Sequence, residues 1–333
     1  MRRGAVAVLL LALGNQVRWA RRTRPEALPS VQHGTYVAAP DGALLFAELG
    51  GDPEASLTVV LVHGLLARSL EFEMQWQSLG SRARLLRYDH RNHGRSELVA
   101  GGTDIAALAD DLAAVVSQLA PEGDLVLVGH SMGGMTVLSL AERHPELLTR
   151  VRGVALVATG AGHLIDGHRL EDGIRLIARR RGLAPALLLL RLAAPVLEQL
   201  RPRRTHLVRW AVKRLVFGTD DVDPALLTQT QALLEEPPLA ALAALQGSVL
   251  RNDTRLGLEN LAGRPVVIIS GSEDKLTRPE HSRRMAEATG AQLLVLPGAG
   301  HVVNQTRATE VNAALHQLLD AVAAERVPTT VTP

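Results

Sequence analysis

The sequence predicts an α/β protein, a mostly parallel twisted sheet with helices on both faces, interrupted by a helical insertion. Three observations carry this. From Thr35 onward, short apolar runs alternate with stretches of helical periodicity, the signature of strand–helix repeats. Several runs are continuously apolar, as strands covered on both faces must be. Between residues 161 and 260 the strand signal vanishes, and leucine- and arginine-rich helical stretches punctuated by Pro185, Pro195, Pro202, Pro224, Pro237 and Pro238 replace it.

In chain order, 35–39 and 43–48 read as strands flanking Pro40-Asp41-Gly42, which has the residues of a tight hairpin turn. The run 57–62 is a buried strand ending at His63-Gly64, and 83–88 is the next. A helix is expected over 103–119, with Thr103 as its N-cap. Strand 125–128 then runs into Gly129-His130-Ser131-Met132-Gly133-Gly134, and a helix is expected over 136–144. Strand 151–157 closes at Thr159-Gly160. The sheet pattern resumes at 265–270 and 292–296, and a last helix places Val311, Leu315, Leu318 and Val322 at spacings of four, three and four. The domain division that follows is 31–160 with 261–333 as one core, 161–260 as a helical cap and 1–30 as a separate N-terminal segment.

Composition excludes several chemistries. The 333 residues suffice for a large core, and with 47% apolar but only 2% aromatic residues that core must be built from Leu, Val, Ala and Ile. A formal charge of +2 argues neither for nor against nucleic acid, but no basic run interleaved with aromatics suggests base stacking, and no nucleic-acid partner is expected. The absence of cysteine removes disulfides, thiolate zinc sites and a thiol nucleophile. No phosphate-cradling or H-E-x-x-H pattern occurs, so no cofactor is expected.

Strand 125–128, a corner at Ser131 and a following helix form a G-x-S-x-G nucleophile-elbow pattern. A Cβ at Gly129 or Gly133 would collide with the neighbouring strand or helix across so sharp a corner. A serine hydroxyl needs a base to take its proton and a carboxylate to orient that base. Asp274 follows strand 265–270, and His301 follows strand 292–296 through Pro297-Gly298-Ala299-Gly300, in the order serine, acid, histidine. Glu273 is the nearest rival acid and Asp253 a weaker one; His316 is the rival histidine. The developing oxyanion needs amide donors, for which Met132 N–H and Leu65 N–H are the candidates. His63 reads as a structural hydrogen-bonding residue. Asp89, His90 and His93 match no common zinc spacing and read as a loop pinned by side-chain hydrogen bonds, so no metal is expected.

Taken together, His63-Gly64, the D-x-R-x-x-G-x-S run from Asp89 to Ser96, Gly129 to Gly134, Gly271 to Asp274 with Pro279 downstream, and Gly298 to His301 resemble the α/β-hydrolase superfamily over about residues 35 to 325. The resemblance is greatest to bacterial cap-bearing esterases and lipase-like enzymes. It implies the α/β-hydrolase fold with an inserted cap and hydrolysis of an ester, thioester or amide. Ser131 would be acylated, with His301 as base and then acid, Asp274 orienting it, and Leu65 and Met132 donating to the oxyanion. Ser131 argues against relatives that use an aspartate nucleophile. Asn304-Gln305 stands where the family frequently has an acidic residue shortly after the histidine. Acyl transfer, carbon–carbon hydrolysis, cofactor-free peroxidase chemistry and a non-catalytic receptor are alternatives on the same fold.

The N-terminus carries Arg2-Arg3, an apolar run over 5–13, then Arg18, Arg21, Arg22 and Arg24. This resembles a secretory signal or a membrane-surface anchor, too short to span a bilayer. Export or membrane association is expected, with a cytoplasmic chain as the alternative. Between Arg169 and Arg214, twelve Lys or Arg stand against three Asp or Glu among leucines, compatible with contact to an anionic lipid surface or with a solvated cap. A small hydrophobic ester or lipid is the expected substrate.

Overall fold

The computed structural model describes residues 34–99, 103–162 and 247–326, with 213, 216–218, 222, 224 and 245 between them. The N-terminal segment and most of the proposed cap, including its basic stretch, lie outside the described residues. Eight strands are present among the described residues: β1 Thr35–Ala38, β2 Leu44–Gly51, β3 Leu57–Val62, β4 Arg84–Tyr88, β5 Asp124–His130, β6 Val151–Val157, β7 Val266–Gly271 and β8 Gln292–Leu296. They form one sheet in the order β1-β2-β4-β3-β5-β6-β7-β8. The β1–β2 and β2–β4 pairs are antiparallel and all others parallel.

Burial explains why the central strands read as unbroken apolar runs. Val60 and Val62 of β3 face one layer with Leu125 and Leu127 of β5, while Val59, Leu61, Val126 and Val128 face the other. Every residue of β3 and β7 is buried. The first layer is closed by α2 Ile105–Leu119, α3 Met132–Arg143, α4 Arg255–Glu259 and α5 Pro279–Thr289. The second is closed by α1 Glu73–Leu79 and α7 Ala308–Arg326, which follows the single turn α6 Val303–Thr306. On α7, Val311, Leu315, Leu318 and Val322 are all buried against the sheet. Each such side chain contributes about 1.5–3 kcal/mol of transfer free energy. No helix among the described residues is long and apolar enough to cross a membrane.

Two local expectations change, and one helix has no counterpart among them. The cap of α2 is Asp104, whose carboxylate accepts from Ala107 N at 2.8 Å, rather than Thr103. Helix α3 begins at Met132, four residues before the expected start, because Gly133 and Gly134 serve close packing and not a loop. Helix α1 escapes the periodicity test because its buried face includes the polar Gln75 beside Leu79.

The strand order decides where a site can form. From β3 the chain adds β4 on one side and then crosses back to place β5 on the other. A crevice therefore opens between the carboxyl ends of β3 and β5, the switch point where ligands bind in open parallel sheets. Val62 and Gly129 are register partners there.

Candidate active site

Ser131 stands at the mouth of this crevice, between β5 and α3, with φ 52° and ψ −119°. Positive φ at a non-glycine residue costs on the order of 1–3 kcal/mol and persists only where the surroundings enforce it. The enforcement is visible. Ser131 N–H donates to Val157 O at 2.9 Å, and Thr159 Oγ1 donates to Ser131 O at 2.7 Å. A Cβ at Gly129 would lie 2.6 Å from Gly133 O and Gly134 Cα; one at Gly133 would strike the Val62 carbonyl; one at Gly134 would press on Thr159. The glycines let the start of α3 seat directly on the end of β3.

His301 Nε2 lies 2.8 Å from Ser131 Oγ, and its Nδ1 lies 2.8 Å from Asp274 Oδ2. Both His301 and Asp274 are buried. Asp274 Oδ1 accepts from Leu276 N at 2.8 Å and Thr277 N at 2.9 Å, and Thr277 Oγ1 stands 2.7 Å from Oδ2. Burial raises the carboxyl pKa. The charge and hydrogen bond of His301, together with the Thr277 donors, outweigh it and hold the carboxyl below its ordinary value. The histidine is delivered by a glycine-rich loop: His301 N donates to Val216 O at 2.6 Å, Ala299 bridges to Gly218, and a Cβ at Gly300 would strike the Phe217 backbone. The rivals point elsewhere. Glu273 is exposed, Asp253 pairs with Arg255 at 2.6 Å, and His316 bonds Ser78 at 3.0 Å.

On the other wall, the chain leaves β3 through His63, Gly64, Leu65 and Leu66. Gly64 N–H donates to Glu71 Oε2 at 3.0 Å, and Leu66 N–H to His93 Nε2 at 3.3 Å, Leu66 itself having φ 61°. Leu65 N–H, between them, has no acceptor among the described residues. Met132 is the first residue of α3, so its N–H has none within the helix. The leucine side chain packs with Ile105, Leu108, Met132, Met135, Leu245 and Val249.

The Asp89–Ser96 loop buttresses this wall. Asp89 accepts from Ser69 N at 2.7 Å and Arg95 N at 2.8 Å, and Arg91 pairs with buried Asp111 at 2.6 Å. His63 Nδ1 faces Gly64 O, and its Nε2 accepts from His90 N at 2.9 Å; His90 Nε2 faces His63 O and its Nδ1 faces the Tyr88 hydroxyl; His93 Nδ1 faces Arg91 O. His63 and His93 therefore each have one donating and one accepting nitrogen, which makes them neutral, while His90 Nε2 donates to His63 O and the Tyr88 hydroxyl can serve its Nδ1 either way. Desolvation lowers each pKa, that of His93 to about 4. Among the described residues no group of His, Asp and Glu is arranged to hold a metal ion.

Four positions next to the site were not singled out from sequence: Thr277, Thr159, Glu71 and His130. Thr277 was legible, since a threonine three residues after an aspartate suits a side-chain-capped turn. Glu71 carried no signal. Asn304, where the family frequently has an acid, is fully buried; its carbonyl accepts from Gln75 Nε2 at 2.9 Å, and its side-chain amide has no partner among the described residues. It packs toward α1.

A family model described as the alpha/beta hydrolase family matches residues 59–314. The chain belongs to the α/β-hydrolase family. It is 31% identical, over 80% of its own length and 63% of the relative's, to the dihydrolipoyllysine-residue acetyltransferase component of an acetoin cleaving system from Pseudomonas putida. It is 27% identical to 2-(acetamidomethylene)succinate hydrolase from Mesorhizobium japonicum, over 79% of this chain and 88% of that one. A thermophilic esterase from Thermogutta terrifontis superposes with a TM-score of 0.68 at 24% identity, covering 87% of this chain and 98% of the esterase. Family membership and the likeness to a hydrolase support a hydrolase, and the likeness to the esterase shows the shared fold.

Proposed function

We propose that the chain is a serine hydrolase that cleaves a hydrophobic carboxylic ester through an acyl-enzyme on Ser131. The unbroken line from Ser131 Oγ through His301 to Asp274, at 2.8 Å for each contact, carries this reading. Ser131 Oγ attacks the ester carbonyl while His301 Nε2 takes its proton, and the Asp274 carboxylate stabilises the resulting imidazolium. The oxyanion is met by the N–H groups of Leu65 and Met132. His301 then protonates the departing alcohol. Water, activated by the same histidine, releases the acid and restores Ser131.

The apolar cluster that holds Leu65 and Met132 favours an acyl chain over a polar acyl group. A basic cap and N-terminus would bring the enzyme to an anionic lipid surface, and mass measurement of the mature N-terminus would separate cleavage from anchoring. Ser131→Ala is expected to lower turnover by at least about 10⁴-fold and to abolish labelling by a fluorophosphonate probe. Retained labelling would remove Ser131 from the mechanism. In a panel of p-nitrophenyl esters, octanoate is expected to be cleaved at least as well as acetate; a strong preference for acetate would count against the apolar acyl site.

The likeness to an acetyltransferase component favours a second reading, in which the same acyl-enzyme is delivered to an alcohol or amine. Product analysis with an added acceptor decides between water and acceptor.

A further inference from the structure

Beside the Ser131–His301–Asp274 line lies a second buried pair that the mechanism does not use. Glu71, on the 3-10 turn Ser69–Phe72, makes an ion-pair contact through Oε1 with His130 Nδ1, and both side chains are only 3% exposed. Glu71 Oε2 accepts from Gly64 N at 3.0 Å, one residue before Leu65. His130 Nε2 lies 2.9 Å from the main-chain oxygen of His301, with the two rings 5.0 Å apart. Gln305, just past His301, reaches back to Glu71 O at 3.3 Å. One pair, of which His130 is the residue preceding Ser131, thus touches both the turn that presents Leu65 and the loop that carries His301.

His130 Nε2 faces a carbonyl, and its Nδ1 stands in close contact with the Glu71 carboxylate, off the line of a hydrogen bond, with no other partner among the described residues. A neutral imidazole has one N–H and satisfies only one of these two groups. We propose that Glu71 and an imidazolium at His130 form a positioning pair, which holds the oxyanion turn and the His301 loop in register around Ser131. The titratable groups facing the pair are His63 at the end of β3, His301 and Asp274. Glu71 carries its charge at a lowered pKa, because His130 and Gly64 N–H outweigh its burial. For His130 desolvation alone favours the neutral ring, and Glu71 reverses that preference. The pair touches no reacting atom, so its effect reaches the chemistry only through geometry.

This inference rests on Ser131 as the nucleophile, and the test separates the two. Glu71→Ala removes the acceptor for Gly64 N–H and the partner of His130; kcat for p-nitrophenyl octanoate is expected to fall about 10- to 100-fold with KM within about 3-fold, the scale of a misplaced catalytic group. Glu71→Gln keeps an acceptor for Gly64 and lets a neutral His130 still donate to His301 O, so it is expected to recover most of that loss. Long-range ¹H–¹⁵N spectra of the full chain at pH 7, with His130 assigned by the signals lost in His130→Gln, are expected to show both His130 nitrogens protonated in the wild type and one in Glu71→Gln. A singly protonated His130 in the wild type, or a Glu71→Ala chain with wild-type kcat, overturns the proposal while fluorophosphonate labelling of Ser131 stands. A wild-type chain that takes up no fluorophosphonate overturns the nucleophile instead, and the spectra still decide the charge of the pair.

Discussion

On the β3–β4 side of Ser131, His63 and His93 each receive a backbone N–H at one ring nitrogen and give the other to a carbonyl, and His90 gives one nitrogen to a carbonyl and meets the Tyr88 hydroxyl with the other. On the β5–β8 side, His130 faces Glu71 and His301 faces Asp274. All five rings are buried. Burial penalises the imidazolium on both sides, yet His93 is driven down to about 4 while His130 is raised. The difference lies in the partners. Backbone N–H donors demand a lone pair and lock a neutral tautomer, whereas a carboxylate favours a proton on the nitrogen beside it. The histidines of the first wall are held neutral, whereas Glu71 favours the charged form of His130.

The comparison breaks most visibly at Asp274. Asp274→Asn is expected to lower kcat about 10³- to 10⁴-fold in ester hydrolysis, because an amide in place of the carboxylate favours the wrong His301 tautomer. A loss of less than about 10-fold would mean that His301 owes little of its orientation to this carboxylate.

The pH dependence of stability sharpens it next, because the two walls act with opposite sign. His93, with its folded pKa lowered from 6.5 to about 4, contributes stability that is present above 6.5 and lost as pH falls through 4. That corresponds to a loss on the order of 3 kcal/mol at most. In urea unfolding, His93→Gln is expected to flatten this acid limb; an unchanged slope would shift the origin to another group. His130 acts in reverse, its contribution fully present below 6.5 and lost as pH rises through its raised value. Glu71→Gln is expected to weaken that alkaline loss, measured in the same way.

The smallest effect is expected at Thr277. Its hydroxyl stands 2.7 Å from both Asp274 Oδ2 and Ala158 O. Removing one such hydrogen bond costs about 1 kcal/mol, so Thr277→Val should reduce kcat/KM roughly 5- to 10-fold. A larger loss would show that the Leu276 and Thr277 amides cannot hold the carboxylate alone.

The sheet was legible because strands buried on both faces must be continuously apolar, and β3 matches its expected span residue for residue; the partly exposed edge strand β8 matches its own as well. Ser131, Asp274 and His301 were legible for a different reason: each follows an apolar run through glycines that only close backbone approach requires. Helix starts were less legible. Asp104 and Thr103 are both good caps in isolation, and Gly133-Gly134 reads as a loop unless the end of β3 is known to lie against it.

What the sequence determined alone was thus local: which stretches are strands, which residue types can form a nucleophile, an acid and a base, and their order along the chain. The tertiary structure decided which of the buried polar groups meet. Glu71 and His130 are separated by 59 positions (130 − 71), and only the crossing of the chain from β4 to β5 brings the turn after β3 against the end of β5. Ionisation follows from that meeting, since whether a buried imidazole holds its second proton depends on what faces its nitrogens, and neighbours in space leave no pattern in sequence.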